Sequence, residues 1–354
     1  MGTSAGVLPS KRSELSSDRY HSSQLSLVRL LAFFGALCAG WMIYLFVAWM
    51  TSAQFRPVNP GSDVLPAKDH LLLLGLQIGG LLLTIYFLYS YVLRPKLATG
   101  RFSTDGLVVL GLGFLWWTDP IFNYTQNWLV YNAYLWNMGS WAGPIFPSWV
   151  APHSENFPEP FVVGIGQIFW LFLGALFGAW LMKWVRNRWG LGTLSTWLVG
   201  FVGCLLFVLS AETGAVFIGW YVMPGATRAM SLFPGTQYQI SMVEVFFGAW
   251  QTLGVASLVY VRDDRGYTWA DRDAHGLTSG KRTQTFVRYL AIIGALNLVS
   301  LAGYFIPIQF QGLHTDPWPE GLPSYFTMTC PEYRVHPERC GGPGVSIPRA
   351  DNPK

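Results

Sequence analysis

Hydrophobic residues are grouped into seven long stretches that are separated by shorter polar segments. The stretches lie near 26–50, 70–92, 104–123, 160–182, 193–221, 236–260 and 285–309. An α-helix needs roughly 20 predominantly apolar residues to cross the ~30 Å hydrocarbon core of a bilayer, and each stretch is about that long. The pattern therefore predicts an all-α integral membrane bundle of seven transmembrane helices.

Basic residues alternate between the polar segments that join these stretches. With the N-terminus placed inside, the inner segments hold 16 Lys and Arg residues and the outer loops hold only Arg56, Lys68 and Arg228. Positive residues are concentrated on the cytoplasmic side of membrane proteins. We therefore expect a multi-pass protein of the cell membrane with a cytoplasmic N-terminus and, because the number of spans is odd, an extracytoplasmic C-terminus.

Three regions follow from this topology. Residues 1–25 are Ser-rich and polar, lack the apolar core of a cleaved signal peptide, and are predicted to be a disordered cytoplasmic tail. Residues 26–310 form the seven-helix domain, and residues 311–354 form an extracytoplasmic tail rich in Pro and Gly. In an oxidising compartment Cys330 and Cys340 of this tail are expected to form a disulfide, the alternative being two unpaired thiols.

Composition agrees with a membrane protein and excludes several functions. Hydrophobic residues make up 51% of the chain, charged residues 12%, and the mean hydropathy is +0.33. The net charge of +4 comes from the cytoplasmic segments, and no basic stripe with interleaved aromatics predicts binding of nucleic acid. No two of the six His residues have the spacing that a metal or haem site on a helix needs. We expect no metal and no cofactor.

The segment 119–159, on the outer side in this topology, carries an unusual density of aromatic, amide and carboxyl side chains. It lies between Arg101 and Lys183, an interval without any Lys or Arg. Polar groups next to lipid must pair with each other, face water or line a cavity. Asp119 followed by Pro120 is typical of an N-cap and first helical position, so we predict an extra interfacial helix after the third span.

On such a helix a set of polar residues recurs at intervals of three or four and shares one face. The set is Asp119, Asn123, Asn127, Tyr131 and Tyr134. We expect this face to line a chamber that it shares with the buried glutamates. The alternative is an interfacial helix whose Trp and Tyr belong to the aromatic belt of the membrane, which would explain the aromatic residues but not the amides.

Two glutamates lie within predicted spans, Glu212 in the fifth and Glu244 in the sixth. A charged group at the centre of a membrane costs ~2.5–3.5 kcal/mol on insertion scales, so it usually faces a protein interior or a cavity. With Asp119 and Glu159 they are the candidate catalytic acids and bases. The alternatives are a structural hydrogen bond to a neighbouring helix for Glu212 and Glu244, and an anion at the N-terminus of the fourth span for Glu159.

The polar segment also contains short strings that identify a family. They are Asp119-Pro120 with Asn123-Tyr124, Tyr131-Asn132-Ala133-Tyr134, Asn137-Met138-Gly139-Ser140-Trp141 and Pro158-Glu159-Pro160. In these strings the chain resembles the spirocyclase AveC family of actinobacterial multi-pass membrane proteins, over approximately residues 26–310. The resemblance implies an enzyme that closes a dihydroxy ketone into a spiroketal and can also dehydrate it. The resemblance does not identify any catalytic residue in this chain.

The implied reaction agrees with the residues, because carboxyl and tyrosine groups suffice for it without metal or nucleotide. We predict a membrane-embedded cyclase or dehydratase that acts on a hydrophobic, hydroxylated polyketide- or lipid-like molecule. Asp119 is the first acid or base, and Glu212 or Glu244 is its counterpart. The residues predicted to position the substrate are Asn123, Tyr124, Asn127, Tyr131, Asn132, Tyr134, Asn137 and Trp141.

Two other functions use the same residues differently. A lipid-binding or transport protein would hold or pass a molecule in the same chamber without chemistry, and a scaffolding subunit would pair its polar groups with no cavity left. Carboxyl groups that converge on a closed, aromatic-lined cavity would favour the enzyme. Because the topology places the polar segment in the outer leaflet and polyketide intermediates are made in the cytoplasm, a substrate must first partition into the bilayer.

Overall fold

The computed structural model describes residues 11–124, 128–146, 153, 156–274, 280–331, 333–335 and 340; for residues 11–26, 122–124 and 144 it describes only the backbone. Most of this chain is helical, in the order α1 Lys11–Met50, α2 Ala67–Phe87, α3 Arg94–Thr99, α4 Thr104–Leu112, α5 Asp119–Tyr124, α6 Phe161–Trp189, α7 Thr193–Phe217, α8 Met242–Tyr260, α9 Lys281–Ser300, α10 Gln309–Leu313 and α11 Ser324–Thr327. The strands are β1 Val130–Tyr131, β2 Tyr221–Val222, β3 Ser231–Leu232 and β4 Ile240–Ser241. They form two antiparallel pairs, β1 with β2 and β3 with β4.

Six helical segments of the described chain are long and apolar enough to cross a membrane, which confirms the helical membrane architecture. They are Leu27–Met50, Ala67–Thr99, Phe161–Trp189, Thr193–Phe217, Met242–Tyr260 and Lys281–Leu313. The predicted third span, 104–123, is not among them, so the seven predicted spans are not confirmed. It divides into α4, a 3₁₀ segment Gly113–Thr118 and α5. Helix α1 begins at Lys11, within the segment predicted to be a disordered tail.

The predicted interfacial helix after Asp119 is wrong in its extent. Helix α5 ends at Tyr124, and Tyr131 lies on β1 instead. The backbone here is satisfied by distant parts of the chain: Ala133 N donates to Tyr325 O at 3.0 Å, and β1 pairs with β2. Hydrogen-bond partners so far apart in the sequence do not affect the local spacing of polar and apolar residues. The spacing therefore predicted a helix where tertiary pairing stabilises an extended chain.

Helices α1 and α9 approach each other through two glycines. A Cβ atom built on Gly35 would lie 1.9 Å from Leu290 O, and one built on Gly294 would lie 2.0 Å from Leu31 O. Small residues allow such close approach of helices in membranes, where van der Waals packing largely drives association. This crossing fixes α1 against the helix that continues, through a π-helical turn at Leu301–Phe305, toward the centre of the bundle.

The C-terminal segment packs onto strand β1. Cys330 and Cys340 form a disulfide with Cα atoms 5.6 Å apart. Together with Val130, Trp318 and Leu322 they belong to one buried apolar cluster. The segment is also held by Arg334, whose Nη2 lies 2.9 Å from Asp63 Oδ2. The described residues after 310 therefore form a folded cap on the polar segment.

We expect the disulfide to stabilise this cap measurably. In the chain-entropy model a loop as short as Cys330–Cys340 is worth about 3 kcal/mol. The double variant Cys330→Ser, Cys340→Ser should therefore be cleaved faster in the cap by limited proteolysis, while the membrane helices stay intact. A reducing agent should accelerate cleavage of the parent protein and leave the double variant unchanged. Equal cleavage rates for parent and variant would show that the cap does not depend on the bond.

Candidate active site

Two tyrosines are held side by side by the pairing of β1 and β2. Tyr131 lies opposite Tyr221 in this antiparallel register, and residues directly opposite each other project from the same face. Their ring centroids are 5.8 Å apart at an interplanar angle of 88°. Val130, the neighbour of Tyr131 on the strand, packs in the disulfide cluster. The small sheet therefore connects the C-terminal cap with the tyrosine pair.

Each of these tyrosines donates a hydrogen bond to a buried carboxyl group from another element. Tyr131 Oη lies 3.0 and 3.2 Å from the two oxygens of Asp119, at the start of α5. Tyr221 Oη donates to Glu212 Oε2, near the end of α7. Asp119 is 4% exposed and Glu212 is 9% exposed. The paired tyrosines on β1 and β2 thus hold the carboxyl groups of Asp119 and Glu212, which are 93 positions apart in the sequence.

A third tyrosine and carboxyl pair comes from α8 and the π-helical turn. Tyr304 Oη donates to Glu244 Oε1 at 3.1 Å. Glu244 is in the first turn of α8, where Ser241 caps the helix by accepting from the Glu244 backbone N–H at 3.3 Å. Tyr304 lies in the turn Leu301–Phe305, and such π-helical turns within α-helices are frequent at functional sites. The turn sets the direction of the tyrosine toward Glu244.

The three carboxyl groups line one cavity of about 110 Å³. Its wall consists of Asp119, Leu129, Tyr131, Val163, Gly166, Gln167, Trp170, Leu171, Val208, Glu212, Ala215, Trp220, Tyr221, Glu244, Gly248, Gln251, Thr252, Tyr304 and Phe305. We call this cavity the chamber. None of the described residues in its wall is a Lys, Arg or His. The chamber therefore combines three acidic groups with aromatic and apolar surface.

Glu159 lies behind the chamber wall, beside Asp119. It is completely buried, and its Oε1 accepts a hydrogen bond from Trp116 Nε1 at 2.7 Å. Burial raises the pKa of Glu159 well above its usual value, and the negative charge of Asp119 raises it further. Its position just before α6 also fits the structural role of an anion at a helix N-terminus. Glu159 is therefore placed to act on Asp119, not on a molecule in the chamber.

Three of the residues predicted to bind substrate support the backbone of the polar segment instead. Asn132 Nδ2 donates to Gly219 O at 2.9 Å, and Tyr134 Oη donates to Asp63 O at 3.1 Å. Asn137 Oδ1 accepts from the N–H groups of Val58 and Gly139, and its Nδ2 donates to Ala133 O and Leu135 O. None of the three is in the chamber wall. The two amides and the tyrosine hydroxyl form hydrogen bonds with an irregular buried backbone. The sequence does not distinguish this role from substrate binding.

The remaining predicted binding residues differ in where they lie relative to the chamber. Trp141 is buried among Phe46, Trp49 and Trp116, its Nε1 donates to Trp117 O at 3.2 Å, and it does not line the chamber. Tyr131 does line it. The side chains of Asn123 and Tyr124, and the whole of Asn127, lie outside the described residues.

Several residues of the chamber were missed from the sequence. Gln167 and Gln251 are uncharged polar residues within apolar spans, and this polarity is a signal that could have identified them. Gln251 Nε2 donates to Ser300 Oγ at 2.9 Å. Tyr221 and Tyr304 gave no such signal, because tyrosines at the ends of spans are common in the aromatic belt. Only the folded chain shows that these tyrosines meet carboxyls.

The chamber has one acceptor that the protein leaves open. Glu244 Oε2 is buried and has no hydrogen-bond partner among the described residues, whereas Glu244 Oε1 is taken by Tyr304. A buried acceptor without a partner costs about 1–3 kcal/mol, more for a charged group. A hydroxyl group of a molecule in the chamber would satisfy it. The arrangement can therefore bind a hydrogen-bond donor and exchange protons with it.

A comparison with known protein families gives a match over much of the membrane domain. The family model described as "Spirocyclase AveC-like" matches residues 99–326, which is more than half of the chain. The matched region contains all four candidate carboxyls and the three tyrosines that contact them. No curated protein and no solved structure matches the chain.

Proposed function

The chain belongs to the spirocyclase AveC-like family, and from this premise we propose that it is a membrane-embedded cyclase or dehydratase. Its substrate is a hydrophobic, hydroxylated molecule of the polyketide or lipid type. The observation that carries the proposal is the convergence of Asp119, Glu212 and Glu244, each paired with a tyrosine, on one aromatic-lined chamber.

Closure of a dihydroxy ketone proceeds through proton transfers that such a site can supply. One hydroxyl adds to the carbonyl carbon and gives a hemiketal. A protonated carboxyl donates its proton to the hemiketal hydroxyl, which leaves as water and yields an oxocarbenium ion. The second hydroxyl attacks this carbon and gives its proton to a carboxylate. The sum is one spiroketal and one water, and the total number of protons on the carboxyl groups is unchanged; transfer of a proton from the base back to the acid restores the initial state.

The three carboxyl groups differ in their hydrogen bonds, and we assign their roles from these differences. Asp119 is positioned by the hydroxyl of Tyr131, which lies within hydrogen-bond distance of both of its oxygens, and it acts as a fixed base or as a negative charge beside the cation. Glu244 keeps Oε2 open toward a bound hydroxyl and is its counterpart. Glu212, held by Tyr221, is the alternative counterpart. General acid and base groups of this kind typically contribute about 10²–10⁴-fold to a rate.

The absence of basic groups from the described wall supports an acid role for at least one carboxyl. Ionising Asp119, Glu212 and Glu244 together would place three negative charges in a chamber with no Lys, Arg or His among its described residues. Like charges in a shared buried site disfavour each other's ionised form. We therefore expect the resting chamber to retain a proton, which is the reagent that departure of the hemiketal hydroxyl requires.

The aromatic wall supports the same chemistry. Trp170, Trp220 and the three tyrosines present ring surface to the chamber. Aromatic faces attract cations, and exclusion of bulk water prevents hydrolysis of a cationic intermediate. A neutral ligand that becomes positively charged during reaction suits this wall better than an anionic ligand, which the carboxyls would repel.

The proposal is tested by incubating the purified protein in lipid nanodiscs with a native lipid extract and, separately, with a synthetic long-chain dihydroxy ketone. We expect mass spectrometry to show a product that has lost one water, or an isomer of a substrate, formed only with active protein. Heat-denatured protein in the same nanodiscs is the control. A lipid that copurifies and is released unchanged, with no conversion of either substrate, would contradict the enzyme and support the alternative lipid-binding or transport function.

A further inference from the structure

One side of the chamber differs from the others in its exposure. Seventeen of the 19 residues in the wall are buried, and the two that are half-buried are Gln167 and Trp170. Both belong to α6 and are three positions apart, so they lie on the same face of the helix. The chamber therefore comes nearest to the protein surface along this face of α6.

This face of α6 is directed toward α7. The ring centroid of Trp170 lies 5.5 Å from that of Phe207 on α7. The preceding residue, Phe169, belongs to the opposite neighbour, since its ring lies 2.6 Å from a Cβ built on Gly80 of α2. The exposed edge of the chamber is thus the seam between α6 and α7, which we call the α6–α7 seam and define by Gln167, Trp170, Phe207 and Ala211. Ala211 is half-buried and lies one helical turn beyond Phe207.

The seam lies within the apolar spans and not at their ends. With a rise of 1.5 Å per residue, Gln167 and Trp170 are about 9 and 13 Å from the start of α6 at Phe161. Glu212 is about 8 Å from the end of α7 at Phe217 by the same measure. Apolar side chains on the two helices below this level are exposed, Leu173 by 39% and Leu206 by 58%. Such surface faces acyl chains when the helices span a bilayer.

The other sides of the chamber are closed by buried side chains. Toward the C-terminal cap, the β1–β2 pair and Trp220 cover it. Toward α9, the hydrogen bond from Gln251 to Ser300 joins α8 to the neighbouring helix. A ligand that entered by either side would have to break the pairing that holds Tyr131 and Tyr221, or separate two packed helices.

We propose that the chamber opens laterally into the hydrocarbon layer through the α6–α7 seam and takes an apolar, hydroxyl-bearing ligand directly from the bilayer. The identity of this ligand as a substrate rests on the proposed function; the route does not. Gln167, with its amide at the seam, offers a hydrogen bond to a hydroxyl that would otherwise enter without a partner. Trp170 and Phe207 supply the apolar sides of the entrance.

The test measures entry without requiring turnover. A long-chain diol with a diazirine on its alkyl chain is dissolved in proteoliposomes and irradiated, so that the diazirine loses nitrogen and the carbene inserts into a nearby O–H or C–H bond. Peptide mass spectrometry then measures labelling of chamber residues, such as Glu244. We expect labelling in the parent protein and an at least tenfold loss in Ala211→Trp, which fills the seam. Leu206→Trp introduces a Trp on the exposed side of α7 instead, and its chamber should be labelled as strongly as that of the parent protein.

A second measurement does not depend on blocking the seam. Replacement of Gln167 by p-benzoylphenylalanine should give phospholipid adducts on irradiation in liposomes, whereas the same replacement at Glu320 of the exposed cap should give none. Equal labelling of the chamber in Ala211→Trp and the parent, or absence of phospholipid adducts at Gln167, would overturn the lateral route. If labelling follows the seam but no substrate is converted, the route stands and the proposed enzymatic function fails.

Discussion

Asp119→Asn is expected to lower turnover at least roughly 100-fold, the lower end of what a general acid or base contributes, while the membrane fold stays intact. The amide has nearly the shape of the carboxylate, so Tyr131 keeps a hydrogen-bonding partner. It lacks the negative charge and the capacity to accept and return a proton. The measurement is the initial rate of water loss from the substrate identified in the lipid-extract assay, with variant and parent in the same nanodiscs.

The matched control is Asp264→Asn, which makes the same change at an exposed position on the loop after α8. It should leave the rate unaltered. Size-exclusion behaviour and helical content report that each variant is folded. Normal turnover by folded Asp119→Asn would remove Asp119 from the mechanism and leave Glu212 and Glu244 as the remaining acid and base.

Gly35→Ala is expected to destabilise the protein severely, although alanine is the better helix former by about 1 kcal/mol. Its Cβ would lie 1.9 Å from the carbonyl oxygen of Leu290, and a backbone atom cannot move away as a flexible side chain can. Helices α1 and α9 must therefore separate. Overpacking of this kind costs typically about 1–3 kcal/mol and occasionally more. We expect a lower midpoint of thermal unfolding in detergent and a smaller yield of monodisperse protein.

Gly40→Ala provides an internal comparison on the same helix. A Cβ at Gly40 meets no described atom within 4 Å, so this variant gains helix propensity without a clash. Its unfolding midpoint should equal or exceed that of the parent. If both variants unfolded at the same temperature, the close approach of α1 and α9 would not contribute to stability.

The predicted site residues and the chamber overlap where the residues obey a local physical constraint. Glu212 and Glu244 were singled out because a carboxyl within an apolar span must face the protein interior, and the structure places both in the chamber wall. Asp119 reaches the same wall, but through a short helix and not the long one that its spacing with Asn127 and Tyr134 predicted. The catalytic role of all these carboxyls stays a prediction.

The predicted binding residues that the structure places outside the chamber wall share one feature. Asn132 and Asn137 are polar residues in a segment near lipid, and hydrogen bonding to an irregular backbone requires the same amides as binding a substrate. Conversely, Tyr221 and Tyr304 have ordinary positions in the sequence and become site residues only because β1 meets β2 and a π-helical turn faces α8. Such meetings depend on contacts between residues that are far apart along the chain.

The sequence by itself determined the environment of this protein and the depth of its acidic groups. Length and apolarity of a segment suffice for a membrane helix, and the cost of a buried charge suffices to turn Glu212 and Glu244 inward. Only the tertiary structure decided which groups the carboxyls meet, that α4 and α5 form a broken central segment and not a seventh long span, and that the chamber approaches the surface between α6 and α7. The depth of a carboxyl group in the membrane follows from the composition of the one segment that carries it. Its hydrogen-bond partner depends on how two segments pack against each other.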